Sequence, residues 1–479
     1  MNNLEQIKIN TAQTGEALDE TVSPEISVSI RVSPQNYLTA LLLGTFFSAF
    51  LFYLEIDLAG VILFGLSWIL IPFLAFSDHI NFDGKRLVRT GIMPKIWSWL
   101  NASRRRLKII DIEQVETQAI RTIKRGDKIH YRYSTVIRGK GLSIAIASGA
   151  SGTNEDYRRF VQSILPRLSD NVLDNRSIEL RDHLADPKET LMRAEFSSIP
   201  AADVLESSLK SVGKRGKRPK QEFESLELFE DEKADDLRSL ANELRLSGYL
   251  LQSLEAFRRA LILKPADARL LFEFARCLHS FAGMKRDDKL ERRALAALRL
   301  SERRAADDGA LLVRLGEWYF QIGNWSRAGN AFRDALERIG ENFRTARGLA
   351  EIALREGKIA HVIHHFSTAN RIAETPSLRR WSKGEAEYFS HLNSDDEYME
   401  LEIGRVNLLE GVERSKKTAL RIAFFGFPAI IAGIMLEDTL IANIGWAVST
   451  VSLLVWTGLI MSGHLLAQRI PYQMMESDE

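Results

Sequence analysis

Three histidines lie close together in the sequence and are the side chains best placed for metal chemistry. His361, His364 and His365 are spaced so that they can share one side of a helix. A metal site also needs further ligands and hydrogen-bonded support around them. The trio falls on a predicted helix side where exposed polar residues are normal. The sequence therefore favours ordinary surface histidines and predicts no metal and no cofactor.

Other arrangements that carry catalysis do not occur in recognisable form in this sequence. The stretches Gly139–Gly141 and Gly149–Gly152 lack the spacing of a phosphate-binding loop and are typical of hairpin turns. No Ser-His-Asp set, His-Glu-x-x-His motif or pair of cysteines is visible. The single cysteine, Cys277, excludes an internal disulfide, fits a reducing compartment and is expected to be a small buried residue. We predict that the protein is not an enzyme.

Two long apolar hairpins bracket the chain. Their segments are Tyr37–Leu54 and Leu58–Phe76, then Ala419–Leu436 and Leu440–Leu465. Each segment approaches the roughly 20 residues that a helix needs to cross a bilayer. The polar residues Arg421 and His464 lie near segment ends, so none sits at mid-bilayer depth, where it would indicate transport. The sequence predicts transmembrane hairpins over residues 37–76 and 419–465 that serve as an anchor rather than a channel.

Basic residues predict the orientation of these hairpins, because Lys and Arg near membrane ends favour the cytoplasmic side. They occur at Arg31, over Lys85–Arg106 and over Lys416–Arg421, whereas neither tight turn carries one. We therefore expect an inner-membrane, multi-pass protein with both termini and the whole middle region in the cytoplasm. Residues 1–36 lack the order of a signal peptide and are predicted to be a disordered tail, with residues 466–479 a second tail.

The region after the first hairpin alternates apolar and polar residues, which indicates strands with one buried face. Turn signals stand at Asp83-Gly84 and Gly126-Asp127. Asn154 can cap a helix. The residues that then share one helical face are Tyr157, Phe160, Val161, Ile164, Leu165 and Leu168. Antiparallel strands followed by one amphipathic helix are therefore predicted.

This region resembles the bacterial pleckstrin-homology-like (PH-like) domains that follow a transmembrane hairpin. The resemblance rests on HINFDGKRLVRTGIMPKIWSW, on LKIIDIEQVETQAIR and on the terminal helix. It implies a β-barrel with a C-terminal helix over residues 79–168, used for protein or lipid contact and without a catalytic residue. Its basic cluster, Arg104, Arg105, Arg106 and Lys108, is the candidate lipid contact.

Residues 169–233 are predicted to be a linker with some helix. A basic run at Lys214–Lys220 is followed by the acid-rich stretch Glu227–Asp236. Opposite charge blocks are usually solvated, although a basic run near a membrane can also attract anionic lipid. The basic residues have no aromatic residues between them, which argues against nucleic acid.

From residue 234 to 393 the chain repeats itself. The clearest unit begins at Gly309 and contains Leu312, Leu315, Gly316, Tyr319, Gly323, Ala328, Phe332, Ala335 and Leu336. Related units begin at Ala234, Ala268 and Phe343. The pattern resembles tetratricopeptide (TPR) repeats, in which small residues let paired helices approach and large ones fill the seams. A last helix around Trp381–Leu392 is expected to cap the stack, and residues 394–418 to form a connecting helix.

The TPR resemblance implies a groove, lined by the first helix of each repeat, that holds a partner segment. The positions that correspond are Arg238, Asn242, Arg245, Phe272, Arg276, His279, Glu317, Phe320, Gln321, Arg347, Glu351 and Leu354. Most of the charges in this set are positive. Arginine binds carboxylates through two parallel hydrogen bonds, so an acidic segment or a free C-terminus is the expected ligand. The alternative is that these are ordinary solvated residues.

The sequence thus predicts a multidomain membrane protein with two transmembrane α-hairpins, a PH-like β-barrel with its C-terminal helix, and an α-solenoid of TPR repeats. The predicted function is a membrane scaffold or adaptor that recruits a protein partner. Two alternatives stay open: a module that binds or organises anionic lipid through the PH-like region, and an accessory subunit of an envelope biosynthetic, secretion or transport complex. Partner and oligomeric state are left undetermined.

Overall fold

The computed structural model of the chain describes residues 28–32, 35–100, 105–121, 131–148, 155–211 and 227–472. Their packing divides them into two compact units. The sheet unit is the described part of Met1–Val32, Ser77–Gln221 and Ser239–Glu255, and the helical unit is that of Ser33–Phe76, Glu222–Arg238 and Ala256–Glu479.

The described strands are β1 (Val28–Arg31), β2 (His79–Phe82), β3 (Arg86–Thr90), β4 (Arg106–Lys108), β5 (Gln114–Arg121), β6 (Tyr131–Gly139) and β7 (Leu142–Ala147). The helices of the first half are α1 (Gln35–Tyr53), α2 (Asp57–Ser77), α3 (Ile92–Leu100), α4 (Glu155–Ile164), α5 (Asn175–His183), α6 (Pro187–Phe196) and α7 (Ala202–Ser211).

Long helices make up the second half. They are α8 (Glu227–Leu246), α9 (Leu250–Leu263), α10 (Ala268–Lys285), α11 (Asp288–Arg304), α12 (Gly309–Gln321), α13 (Trp325–Ile339), α14 (Phe343–Arg355), α15 (Ile359–Ile372), α16 (Pro376–Ser394), α17 (Asp396–Met435) and α18 (Thr439–Leu466).

Strand β1 differs from the disordered tail predicted over residues 1–36. It pairs antiparallel with β2, from Val28 opposite Phe82 to Arg31 opposite His79, and it buries Ile30. The helices α1 and α2 therefore lie between two neighbouring strands of one sheet in chain order. Four residues are too few to show a clear alternation, and the strand's partner comes only after the hairpin, so the sequence pattern did not indicate it.

The strands form two antiparallel sheets, β1-β2-β3-β4 and β5-β6-β7, in the described part of the chain. The predicted closed barrel is not confirmed, since these sheets are separate. The turns at Asp83-Gly84 and Gly139–Gly141 are confirmed as hairpin connections, with Gly84 and Gly141 at positive φ. The predicted Gly126-Asp127 turn and the Asn154 cap lie outside the described residues, whereas the apolar face of α4 is buried as expected.

The segment between the strands and the repeats contains the helices α5, α6 and α7, where the sequence analysis placed a linker over residues 169–233. Helix α5 is capped by Asp174, whose carboxylate accepts the Ser177 backbone N–H at 2.8 Å. The Ser177 hydroxyl lies 2.8 Å from that of Thr117 on β5, and both are buried. Buried hydroxyls require such partners, so α5 is packed onto the sheet. The basic run at 214–220 lies outside the described residues.

The helical repeats form as predicted, as antiparallel pairs that end in α16. Their first helices start at side-chain caps: Asp267, Asp308 and Asn342 each accept a backbone N–H from the first turn. Gly323 and Gly357 have φ of +79° and +71° at the turns within two repeats. Side chains other than glycine rarely adopt this conformation, so the glycines let the paired helices reverse direction.

The Phe332 ring fills the seam between neighbouring repeats. A Cβ at Gly316 on α12 would lie 2.8 Å from the ring, and a Cβ at Gly348 on α14 would also collide with it. Phe332 is fully buried. The two glycines therefore make room for the aromatic residue on which the stack of α12, α13 and α14 is built.

Three described helices, α2, α17 and α18, are long and apolar enough to cross a membrane, judged by length and composition. Helix α1 is also apolar, but its span Tyr37–Tyr53 is shorter than the other three. Helices α17 and α18 approach closely, because a Cβ at Gly433 would lie 2.6 Å from Ala442 Cα. Helix α1 packs against α18 through Tyr53, whose hydroxyl donates to Asn443 Oδ1 at 2.8 Å.

The chain after α18, within the predicted cytoplasmic tail of residues 466–479, folds back onto the end of the solenoid. Arg469 forms two hydrogen bonds with Glu385 at 2.9 and 3.0 Å. The Ile470 carbonyl accepts from the Tyr398 hydroxyl at 2.7 Å, and Tyr472 stacks on His391 with 3.9 Å between ring centroids. We call residues 469–472 the C-terminal clamp. It fixes the exit of α18 against α16 and α17.

Replacing Gly316 by Ala tests the seam. A helix interior normally gains about 0.5–1 kcal/mol from this change, but here the added methyl meets Phe332. We expect a net loss of about 1–3 kcal/mol of unfolding free energy, the usual cost of overpacking. Urea denaturation of the full chain in detergent, followed by circular dichroism, measures the loss.

The matched control is Gly329→Ala on α13, where the nearest atom to an added Cβ is 3.7 Å away. That variant should be as stable as the wild type or slightly more so. Equal effects of the two substitutions would contradict the role given to the seam.

Candidate functional site

The first helices of successive repeats, α8, α10, α12, α14 and α16, carry the residues predicted to line a groove. At the beginning of this series Arg238 on α8 meets Glu273 on α10. Two hydrogen bonds of 2.7 Å join the guanidinium to the carboxylate, which is almost completely buried. The bonded carboxylate raises the pKa of Arg238. The positive charge of Arg238 is therefore already neutralised within the protein.

Arg276 on α10 is the largest fully buried side chain of the repeats, with 2% of its surface exposed. Its guanidinium carbon lies 4.6 Å from the ring centroid of Trp318 and 5.2 Å from that of Phe272. The guanidinium of Arg314 lies over the same Phe272 ring at 5.5 Å. Cation–π contacts of this kind join α10 to α12.

Burial also acts on Arg314, since removing its guanidinium from water lowers the pKa of this side chain. The aromatic ring of Phe272 and the charge of Glu273 nearby offset part of that loss of hydration. The two arginines thus belong to one cluster in the seam between α10 and α12.

The same type of contact continues to the next helices. Arg344 on α14 forms a two-pronged bond with Glu317 on α12, one arm of which measures 2.7 Å. The Arg347 guanidinium carbon lies 5.2 Å from the ring of Trp381 on α16, and its Nε donates to Glu351 at 3.0 Å. We call this series of contacts from Arg238 to Trp381 the arginine spine. It links each first helix to the next.

The structure places the predicted groove residues at very different depths. Buried side chains are Asn242, Arg245, Phe272 and Arg276; half-buried ones are Arg238, His279, Glu317, Phe320, Arg347 and Glu351; and exposed ones are Gln321 and Leu354. Asn242 and Arg245 belong to the sheet unit, where Arg245 donates to Glu179 at 2.9 Å. The buried residues hold elements together, and only the half-buried and exposed ones remain accessible at the surface.

Sequence reasoning missed two exposed residues next to this face. Trp325 at the start of α13 is 45% exposed. Arg355, at the end of α14, places its guanidinium carbon 5.3 Å from the Trp325 ring and 5.9 Å from the Phe320 ring. We define the edge patch as Phe320, Gln321, Trp325, Leu354 and Arg355. The signal was present in the sequence, because a tryptophan directly after a turn glycine and asparagine is not needed for the repeat pattern.

The other predicted sites are described in part. Arg105, Arg106 and Lys108 are exposed at β4, and Arg104 lies outside the described residues. The ring centroids of His361 and His365 are 6.4 Å apart. The pKa of His365 is lowered mainly by its partial burial and, to a smaller extent, by the nearby His364 and His361. Within the described ranges there is no group of three or more His, Cys, Asp or Glu side chains that could hold a metal ion.

Comparison with known proteins finds no matching family model and no matching curated protein. Among solved structures, PilF of Pseudomonas aeruginosa matches with a TM-score of 0.30 and 17% identity, over 49% of this chain and 99% of that chain. The APC/C hetero-tetramer Cut9–Hcn1 matches with a TM-score of 0.27 and 12% identity, over 64% of this chain and 52% of that chain.

Both neighbours are TPR-repeat proteins. The present chain spans about half the length of the second. Scores this low do not bear on function. The class of protein is defined by the packing described above: a mostly helical chain with TPR-like repeats, small sheets and candidate membrane helices.

Reversing the charge of Arg276 should unfold the repeats rather than weaken partner binding alone. Arg276→Glu removes the cation from the Trp318 and Phe272 rings and buries an uncompensated carboxylate, which costs about 3–5 kcal/mol. We expect a large drop in the melting temperature of the detergent-solubilised chain. Differential scanning fluorimetry measures it.

Gln321→Glu is the control, because it introduces the same carboxylate side chain at an exposed position of the next first helix. It should change the unfolding free energy by less than about 0.5 kcal/mol. A melting temperature of Arg276→Glu equal to that of the control would show that Arg276 has no structural role.

Proposed function

We propose that the protein is a non-enzymatic, membrane-anchored scaffold that recruits a protein partner to the cytoplasmic face of the membrane through its helical repeats. The observation that carries this proposal is the edge patch. It combines an exposed tryptophan, a half-buried phenylalanine and an arginine, next to the face along which the arginine spine joins the first helices. Tryptophan and arginine are the residues most enriched among those that dominate binding energy at protein interfaces.

The arginine spine changes the kind of partner that is expected. Glu273 and Glu317 already occupy the forks of Arg238 and Arg344. A partner's carboxylate would have to displace these buried or half-buried glutamates, which would then lose their own bonds. An apolar or aromatic segment with a single carboxylate near Arg355 fits the edge patch better than a strongly acidic one.

Rigid attachment to the membrane hairpin supports a recruiting role. The C-terminal clamp and the continuous helix α17 both connect the end of the solenoid to the second apolar hairpin. A tethered binding face raises the effective concentration of a partner that also lies at the membrane. A scaffold of this kind acts by holding its partner at the membrane, which requires no catalytic group.

The edge patch can be tested by photocrosslinking in native membranes. A photoreactive amino acid at position 325 should crosslink a defined protein. The double substitution Phe320→Ala/Leu354→Ala should weaken that capture about tenfold or more, since truncation at such a centre costs over about 1.4 kcal/mol.

The control places the photoreactive residue at Ile262 on α9, which is 51% exposed and lies outside the edge patch. Capture of the same protein at both positions, or capture that survives the double substitution, would contradict a partner site at the edge patch.

Membrane anchoring and orientation are tested by cysteine labelling in intact cells of a bacterial host. In a Cys277→Ser background, Asp438→Cys lies in the second hairpin turn, which we expect outside the cytoplasm. An impermeant maleimide should label it without lysis, whereas Gln321→Cys should react only after lysis. Extraction of the protein by alkaline carbonate, or the reverse labelling pattern, would contradict the proposed topology.

A further inference from the structure

Helix α3 presents an apolar side to its surroundings. Met93, Ile96 and Trp99 follow each other at intervals of three residues, so they lie towards one side of the helix. All three are exposed, and Trp99 keeps 83% of its surface accessible. This segment falls within the region that was predicted to form strands. Tryptophan has an apolar body and a polar N–H, a combination enriched where one side is apolar and the other wet.

The first residue of α3 is held against the last residue of α2. The Ile92 backbone N–H donates to Ser77 Oγ at 3.4 Å. Gly91 has a φ of +144°, and a Cβ there would lie 2.9 Å from the Ser77 carbonyl oxygen. This conformation and this closeness both require glycine. The chain thus leaves α2, forms the β2–β3 hairpin and returns to the point where α2 ended.

An ion pair between a buried carboxylate and a partly exposed arginine secures that return. Asp78, directly after α2, is completely buried and accepts two hydrogen bonds from Arg89, of 3.0 and 2.6 Å. Arg89 stands near the end of β3, just before α3 begins. The start of α3 therefore cannot move far from Ser77 without breaking this two-pronged ion pair and leaving the buried Asp78 carboxylate unpaired.

Basic residues lie within α3 and shortly after it in the sequence. Lys95 is exposed on α3 itself, and Arg105, Arg106 and Lys108 are exposed on and beside the strand that follows. Strand β4 pairs with β3, with Lys108 opposite Arg86. A short helix with Trp and aliphatic residues on one side and Lys and Arg nearby is typical of elements that lie in a membrane interface.

We propose that α3 lies in the cytoplasmic lipid–water interface, with Met93, Ile96 and Trp99 among the acyl chains and the basic residues facing anionic headgroups. The inference rests on the proposed membrane anchoring, since a membrane-spanning α2 puts Ser77 at that interface and α3 starts beside Ser77. It assigns a lipid site to the sheet unit. Basic residues near the surface are attracted to anionic headgroups and strengthen this placement.

The test uses the full chain in vesicles of equal parts phosphatidylcholine and phosphatidylglycerol. In a Cys277→Ser background, an environment-sensitive fluorophore is attached to Trp99→Cys or, with Trp99 retained, to Ile96→Cys. We expect lipids that carry a quencher near the headgroup to quench both positions several-fold more than Phe196→Cys. Phe196 is 89% exposed in the same unit and serves as the matched control.

Leu66→Cys on α2 separates this inference from the anchoring on which it rests. Position 66 lies at the middle of α2, so it is read with lipids that carry the quencher on the acyl chain, and absence of that quenching would overturn the anchoring itself. Lipid quenching at position 66 together with aqueous iodide quenching of positions 96 and 99, at the level of position 196, would overturn the interfacial placement of α3 alone. Protection from both quenchers would indicate a protein surface on α3 and also overturn it.

The headgroup part has its own variant. Arg105→Glu/Arg106→Glu/Lys108→Glu should reduce lipid quenching at position 96 in the mixed vesicles and leave it unchanged in pure phosphatidylcholine. If the variant is quenched in the mixed vesicles as strongly as the protein that keeps these three basic residues, the anionic headgroup has no part in the site.

Discussion

Close approach of helix backbones is the constraint on which the helical unit depends. In the repeats, Gly316 and Gly348 leave the space that the Phe332 ring occupies. In the second apolar hairpin, Gly433 lies against the backbone of Ala442, and Gly445 lies against that of Ile430. Packed interiors tolerate little change in volume. Small residues at a few positions therefore set the distances between helices, and the large side chains follow from those distances.

The arginine spine shows how the same residue type can serve structure instead of recognition. An arginine on the inner face of a repeat protein is readily taken for a ligand contact. Here Arg238 and Arg344 are bound by glutamates of neighbouring repeats, and Arg276 lies over aromatic rings. Burying these charges is favourable only because each has its partner. These arginines are therefore occupied within the protein, and the recognition surface that we propose, the edge patch, contains only one arginine, Arg355.

Contacts at the ends of both apolar hairpins hold them to the neighbouring folded segments. Strands β1 and β2, which precede and follow the first hairpin in the chain, pair with each other, with Arg31 opposite His79. The C-terminal clamp holds the end of the second hairpin against the end of the solenoid. Joining the ends of a segment in this way reduces its freedom before any lipid is considered. The proposed scaffold role and the proposed interfacial placement of α3 both rely on this closure, because each needs a hairpin that is joined firmly to the folded chain next to it.

The amino-acid pattern was enough to predict the features that repeat or extend locally: the apolar hairpin segments, the repeat period over residues 234–393, the turn glycines Gly323 and Gly357, and the buried face of α4. Each of these depends on the spacing of residues within one or two elements, and the side-chain period of a helix or strand is short. For residues 79–168 the strands and the helix were predicted correctly, but the PH-like barrel is not confirmed, because the described strands form two separate sheets.

Tertiary structure alone decided which charges are available. It placed Arg276 among aromatic rings, paired Arg238 with Glu273, gave β1 its partner across the hairpin, and brought α3 beside Ser77. The partners in these contacts lie on different elements. The partner strand of β1 and the partner carboxylate of Arg238 are also far from them in the chain. No local pattern records such a partner, because burial and charge pairing depend on neighbours that only the folded chain brings together.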